Sequence, residues 1–163
     1  YARQDRDAFE PVKMGEALNS ALAMMEPQLR QRKITITRSI PDEPVVVMGD
    51  RVRIEQVIIN LLRNAMDATE ASDDPAIDIL LAGGETAMLT VRDNGHGIED
   101  IENLFEPFYT TKQPGDGVGL GLAISSGIVN DLGGRLTARN AVGGGAVFEM
   151  QLPILPEETR AAE

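Results

Sequence analysis

Apolar residues recur along the chain with two different periods, and the alternation between them lays out most of the fold. Over residues 9 to 32, Val12, Leu18, Leu22, Met25 and Leu29 stand at spacings that place them on one face of a helix, with Pro27 predicting a kink. "KITITRSI" then alternates Ile34 and Ile36 with Thr35 and Thr37, the period of a half-buried strand. "PDEP" turns the chain into a short apolar strand at 45 to 48, and Asp50 is placed to cap a helix over 51 to 69. Strands are predicted at about 77 to 81 and 85 to 92, joined through Gly83 and Gly84.

Residues 99 to 117 include "LFEPFYTTKQPGDG", whose Pro, Gly and charged residues predict a long irregular link of the functional or mobile kind. A glycine-rich approach leads into a helix stopping at Gly133 and Gly134, and strands follow at 135 to 140 and 146 to 152. The tail "PEETRAAE" is polar, with disorder the expectation. Helices spaced among strands, some joined by short turns, predict an α/β fold: a two-layer sandwich with a mixed sheet and helices on one face.

Composition narrows the function classes. A chain of 163 residues with 42% hydrophobic content suits one domain with a sizeable core. No apolar stretch approaches the roughly 20 residues that cross a bilayer, and the N-terminal stretch lacks the pattern of a signal peptide, so a soluble chain is the expectation. Zero cysteines and one histidine exclude a disulfide framework, a thiolate nucleophile and a histidine-based metal cluster. A net charge of −11 argues against general affinity for nucleic acid or acidic lipid. A polyanionic ligand therefore needs a local device: glycine loops, a helix N-terminus, a cation, or a few placed Lys and Arg side chains.

Four stretches carry candidate chemistry. On the helix over 51 to 69, Ile54, Val57, Ile58, Leu61, Ala65 and Ala68 fall in one arc, while Arg53, Gln56, Asn60, Arg63, Asn64 and Asp67 lie opposite. Asn60 and Asn64 form an i, i+4 pair although asparagine is a poor interior helix residue. Either this face is merely solvated, or neutral oxygens hold a hydrated cation such as Mg²⁺. In "DNGHGI", Asp93 at a strand end is suited to accept a hydrogen bond from an exocyclic amine, and Gly95 and Gly97 permit close approach to a flat ligand. The same letters also make an ordinary turn, with His96 a turn side chain.

"GDGVGLGLAISSGIV" exposes backbone amides before a helix, an arrangement suited to phosphate, or else uses its glycines for close packing. It matches neither GxxxxGK[ST] nor GxGxxG. "LFEPFYTTK" gathers Phe105, Phe108 and Tyr109 beside Lys112, as a flap or as a loop anchored by its aromatics.

In sequence order, "QVIINLLRNAMDAT", "VRDNGHGIED", "LFEPFYTTK", "GDGVGLGLAI" and "GGGAVFEMQLP" closely resemble the N, G1, F, G2 and final glycine boxes of the catalytic ATP-binding domain of bacterial sensor histidine kinases. The wording "FEPFYTTK" followed by "GLGLAIS" is most similar to the nitrogen and C4-dicarboxylate sensors. The resemblance implies ATP and Mg²⁺ as ligands, a catalytic domain over 9 to 155 with an ATP lid at about 104 to 117, a linker at 1 to 8, and a disordered tail at 156 to 163. It makes Asn64 the magnesium ligand, with Asn60 turned toward the same metal and the phosphates. Arg63 and Lys112 become phosphate contacts, and Lys112 joins the two asparagines as the catalytic group. Asp93 bonds the adenine amino group, with Gly95, Gly97 and Ile98 near the ring. Phe105, Thr110 and Thr111 open the lid, and Gly117, Val118, Gly119, Leu120, Gly121 and Leu122 wrap the phosphates. Asp67 is also counted among the nucleotide-binding residues, although many relatives carry lysine or a similar residue there, so which cation supports the phosphates is left open.

The same fold family includes the gyrase, Hsp90 and MutL hydrolases, in which a glutamate four residues before the metal-binding asparagine activates water. Here that position is Asn60, which is no general base, and Glu55 lies about 140° round the helix from it. Transfer to an imidazole needs no such base, because the acceptor is the nucleophile. The family's acceptor histidine sits in an upstream dimerising domain, and His96 belongs to G1. The expectation is therefore a monomeric catalytic domain from the cytoplasmic side of an inner-membrane sensor. Its partners would be a histidine-bearing dimerisation domain and a response regulator, with no nucleic acid. The alternatives are a hydrolytic ATPase or a non-catalytic nucleotide-binding or docking domain of the same fold.

Overall fold

A computed structural model of the chain describes residues 9 to 107 and 121 to 156. The elements run β1 (Glu10–Lys13), α1 (Met14–Gln31), β2 (Thr35–Ser39), β3 (Val46–Gly49), α2 (Arg51–Ala68), β4 (Ala76–Ala82), β5 (Thr86–Asp93), α3 (Gly121–Asp131), β6 (Arg135–Asn140) and β7 (Ala146–Pro153). Five strands form one sheet in the order β2-β4-β5-β7-β6, and β1 pairs with β3 in a separate two-stranded sheet. The large sheet is mixed, since β2 runs parallel to β4 while the other pairs are antiparallel.

One face of the large sheet is covered and the other is open. Ile77, Ile79 and Leu81 of β4, with Ala87, Leu89 and Val91 of β5, alternate into the core, while Leu80 on the opposite face is 48% exposed. The covering layer is helical. α2 lies between α1 and α3 and rests on β5, and α3 reaches β6 and β7. An isolated helix of 18 residues is marginal in water. What holds α2 is its buried stripe, Ile54, Val57, Ile58, Leu61, Leu62 and Met66, at about 1.5–3 kcal/mol per side chain. Asp50 caps it as the sequence predicts, accepting from the amides of Val52 at 3.1 Å and Arg53 at 3.5 Å.

The differences from the sequence expectation are local. Residues 10 to 13 are strand, not the first turn of the helix, and Val12 is buried from β1. Pro11 has no amide to give a helix and disfavours helical backbone before it, whereas at an edge strand neither matters. The strand at 46 to 49 stands outside the large sheet, because antiparallel pairing with β1 captures it. On α2, Leu62 and Met66 join the buried stripe and Ala68 is only half-buried. α3 ends through Gly133, at φ +83°, whose amide donates to Asn130 O while Gly134 N donates to Val129 O.

Candidate functional site

The described side chains nominated by the sequence lie along the C-terminal half of α2, at its C-terminal end, and where α3 starts beside its middle. At the C-terminal end, β5 delivers Asp93 and the turn that follows it. Asp93 is 3% exposed, and its Oδ1 accepts from the amides of Gly95 at 2.8 Å and Ala146 at 3.3 Å. Among the described residues nothing bonds its second oxygen. Burial pushes the Asp93 carboxyl above the usual carboxylate range, against the opposing pull of the two amides and the His96 ring. A buried acid with one oxygen held by backbone and the other uncommitted is an acceptor kept in place for a donor from outside the chain.

Every other letter of the turn has a structural task. Asn94 bridges to the start of β4, accepting from Ala76 N and donating to Asp74 O, both at 2.9 Å. His96 is exposed; its backbone amide donates to Ala68 O at the end of α2, and its Nδ1 lies 2.7 Å from Gly97 O. The ring thus has a near neighbour that the sequence reading lacked, and that neighbour is a backbone carbonyl, the partner of a turn side chain. Gly95 is explained from inside the fold as well. A Cβ there would run into the carbonyl of Ala68, so this glycine seats the turn on α2 rather than merely clearing space for a ligand. Gly97 takes φ +84°, with Asn140 Oδ1 2.9 Å from where a Cβ would stand. Ile98 is half-buried and doubly bonded to Asn140, its amide donating to Oδ1 at 2.7 Å and its carbonyl accepting from Nδ2 at 3.1 Å.

Midway along α2, Asn60 meets the start of α3. Asn60 Nδ2 donates to Ser125 Oγ at 3.0 Å and to Gly121 O at 3.4 Å, and Gly121 packs close to the Asn60 side chain. Its nitrogen is therefore turned to α3, and its oxygen is the atom left for a cation or phosphate-bound water. Asn64, one turn on, is half-buried, and its side chain has no hydrogen-bond partner among the described residues. Arg63 is exposed, while Asp67 faces Arg32 across 3.7 Å. From Asn60 to Ala68 the helix rises about 12 Å. The C-terminal half of α2 thus separates a buried acceptor from the start of α3.

Phe105 and Leu104 pack against the core, anchoring the first residues of the predicted lid, and Leu122 does the same from α3. Thr110, Thr111, Lys112, Gly117, Val118, Gly119 and Leu120 lie outside the described residues, as do Phe108, Tyr109, the expected linker and the end of the tail. Among the described residues no three or more His, Asp or Glu side chains gather as a metal site, and no helix is long and apolar enough to cross a membrane.

The sequence predicts β6 and β7, but not the contact that their hairpin makes with Asp93. Gly145, at φ +88°, leaves no room for a Cβ against the Asp93 carbonyl, so the hairpin is clamped onto the strand end that carries the acid. Gly145→Ala should cost roughly 2 kcal/mol or more in a denaturant melt, through both the left-handed backbone and the clash. Gly143→Ala is the control: φ is also positive, but nothing lies within 4 Å of the added Cβ, so the loss should be smaller. Equal losses would show that the contact with Asp93 contributes nothing.

The chain is similar in sequence and fold to known proteins. Residues 49–156 match the family described as histidine kinase-, DNA gyrase B-, and HSP90-like ATPase. The C4-dicarboxylate transport sensor protein DctB of Pseudomonas aeruginosa is 38% identical over 173 aligned residues, covering 99% of this chain but only 28% of that protein. The catalytic domain of histidine kinase ThkA superposes with a TM-score of 0.81 at 30% identity, over 91% of this chain and 99% of the domain. ThkA solved in complex with response regulator protein TrrA gives a TM-score of 0.77 at 30% identity, over 92% of this chain and 43% of that one. The chain belongs to the histidine kinase-, DNA gyrase B- and HSP90-like ATPases, and within them to the catalytic domains of sensor histidine kinases.

Proposed function

We propose that this chain holds Mg-ATP along α2 and presents the γ-phosphoryl group to a histidine on a separate dimerisation domain, for onward transfer to a response regulator. The observation that carries the reading is the pairing of a buried, half-satisfied Asp93 at the C-terminal end of α2 with Asn60, Asn64 and the start of α3 along the preceding turns of that helix. In this reading the uncommitted Asp93 oxygen accepts from the adenine amino group, and adenine preference follows because a carbonyl at that position of the base offers no donor. Gly97 and Ile98 border the ring, and the residues leading into Gly121 and Leu122 cradle the phosphates with amides at the positive end of α3.

Asn64, with the Asn60 oxygen, fits a hydrated Mg²⁺, which favours oxygen donors and retains several waters. When bound, that ion would neutralise charge developing between the β- and γ-phosphates. The chain itself supplies position: a nitrogen of the partner's imidazole forms the new bond to phosphorus as the bond to the β-phosphate oxygen breaks, and ADP leaves with that electron pair. Arg63 is exposed beside Asn64 and is the described cation placed for the phosphates, with Lys112 proposed as the second from the lid. Asp67 faces Arg32 and is left out of the ligand set. DctB is a transport sensor protein of which this chain spans 28%, and we place this chain likewise on the cytoplasmic side of a membrane sensor.

Hydrolysis is the alternative, and two observations oppose it. Asn60 occupies the place of the water-activating glutamate, and the Glu55 carboxylate is held by Arg51 at 2.8 Å. Incubated alone with Mg-ATP, the chain should retain intact nucleotide over hours by chromatography. Sustained release of free phosphate, lost in Glu55→Gln, would make it a hydrolase instead.

A further inference from the structure

The β6–β7 hairpin holds both sides of the proposed base pocket, and Asn140 is the side chain through which it does so. Ala146 N binds Asp93 Oδ1 from the hairpin's far end, Gly145 packs on the backbone of Asp93 and Asn94, and Asn140 closes on Ile98 from the last position of β6. The Asn140 amide satisfies the amide and the carbonyl of one residue at once, at 2.7 and 3.1 Å. A two-point bond of this kind fixes the peptide planes on either side of Ile98 and, with them, the left-handed Gly97. Asn140 itself is an exposed residue at a strand end, where nothing in burial or packing requires an amide. The bond also bridges 42 residues of sequence, joining the turn after β5 to the opposite edge strand of the sheet. Without it, among the described residues, the stretch from Gly97 to the predicted lid packs on the core through Ile98, Leu104 and Phe105.

We propose that Asn140 is a positioning residue for nucleotide binding: it touches no ligand, but by locking Gly97 and Ile98 it holds the base-facing backbone in its binding geometry before ATP arrives. The proposal rests on the assignment of Asp93 and its turn to adenine. Preorganisation of this sort acts on affinity and leaves the transfer step alone, because the γ-phosphoryl end is held by α2 and α3. Two hydrogen bonds at about 1 kcal/mol each correspond to a weakening of roughly ten- to thirtyfold.

The test compares the parent chain with Asn140→Ala and Asn140→Ser, titrated with ATP and with GTP in the presence of Mg²⁺. Asn140→Ala should bind ATP roughly tenfold or more weakly, with the ATP-to-GTP preference reduced, while kcat for label transfer to a separately made dimerisation domain stays within about twofold. Asn140→Ser, which keeps a donor and an acceptor on a shorter arm, should recover part of the affinity. In the nucleotide-free chain, hydrogen exchange at the Ile98 amide should accelerate in Asn140→Ala while protection of the β4 and β5 amides is retained. A parent that binds ATP normally and an Asn140→Ala variant within twofold of it would overturn the positioning role alone. A parent that binds no ATP would overturn the nucleotide reading, and this role with it.

Discussion

Asp93→Asn should leave the nucleotide-free chain at least as stable as the parent at neutral pH while weakening ATP binding at least tenfold. The two halves of that expectation have one cause. Asp93 is buried at the end of β5, and its carboxyl is pushed up by burial more than the amides of Gly95 and Ala146 pull it down. The folded chain therefore binds this proton more tightly than the unfolded chain does. The contribution of the group to stability is present at low pH and is lost as pH rises through the folded value. Above that value the fold carries a buried charge that water would solvate better. An asparagine of the same shape keeps an oxygen for the two amides and removes the charge, so the melting temperature should hold or rise by a few degrees. The lost charged acceptor is worth about 1.5–3 kcal/mol to a ligand amine, hence ten- to a hundredfold in affinity. Calorimetric titration with a thermal melt across pH reads both. A variant that binds ATP like the parent would remove Asp93 from the adenine site, and a marked loss of stability would make it a structural anchor.

Asn64→Ala should abolish the magnesium dependence of ATP binding. The parent's affinity is expected to fall sharply when excess Mg²⁺ is replaced by a chelator, whereas the variant's affinities in the two conditions should agree within about twofold. Asn64 suits this test because among the described residues its amide has no bond to lose. Alanine is the better helix former by about half a kcal/mol, so the fold should not suffer. Asn60→Ala is the contrasting case. It breaks the bonds to Ser125 and Gly121, so it should disturb α3 as well as the cation, and lower both stability and affinity. An Asn64→Ala chain that still needs magnesium would place the ion elsewhere.

The periodic elements were legible in the sequence because each carries a pattern that only one backbone period satisfies. The apolar stripe of α2, the alternation in β4 and β5, and the Asp50 cap all read directly. β1 was hidden because four residues hold too little pattern to compete with the helix behind them. Its pairing with β3 is a tertiary choice that no local signal announces. The same division runs through the candidate site. Asp93, Asn60 and Asn64 stood out because each is chemically out of place on an apolar strand or a helix interior. Asn140 did not, since an asparagine at a strand end before a glycine turn is ordinary, and its bond to Ile98 spans 42 residues. Gly95 and Gly145 look like loop residues in the sequence; only the packing of Ala68 and Asp93 against them shows which atoms require a glycine.

Net charge bears on how the chain handles its ligand. On the proposed reading, a net charge of −11 leaves attraction of a nucleoside triphosphate to the start of α3, a cation held at Asn64 and basic side chains such as Arg63. The phosphate end should therefore be the salt-sensitive end, and the adenine end, built from a buried acid and backbone, should not be.

In the proposed reaction the γ-phosphoryl group passes to a histidine on a separate dimerisation domain. The chain, a separately made histidine-bearing dimerisation domain and γ-labelled ATP with Mg²⁺ should yield label on the partner's histidine, accumulating in proportion to the chain. The rate should be slow, because the two domains lack the effective concentration a covalent link gives them. Label on that histidine, absent when the acceptor is replaced by glutamine, is the predicted result; free phosphate with an unlabelled partner would contradict it.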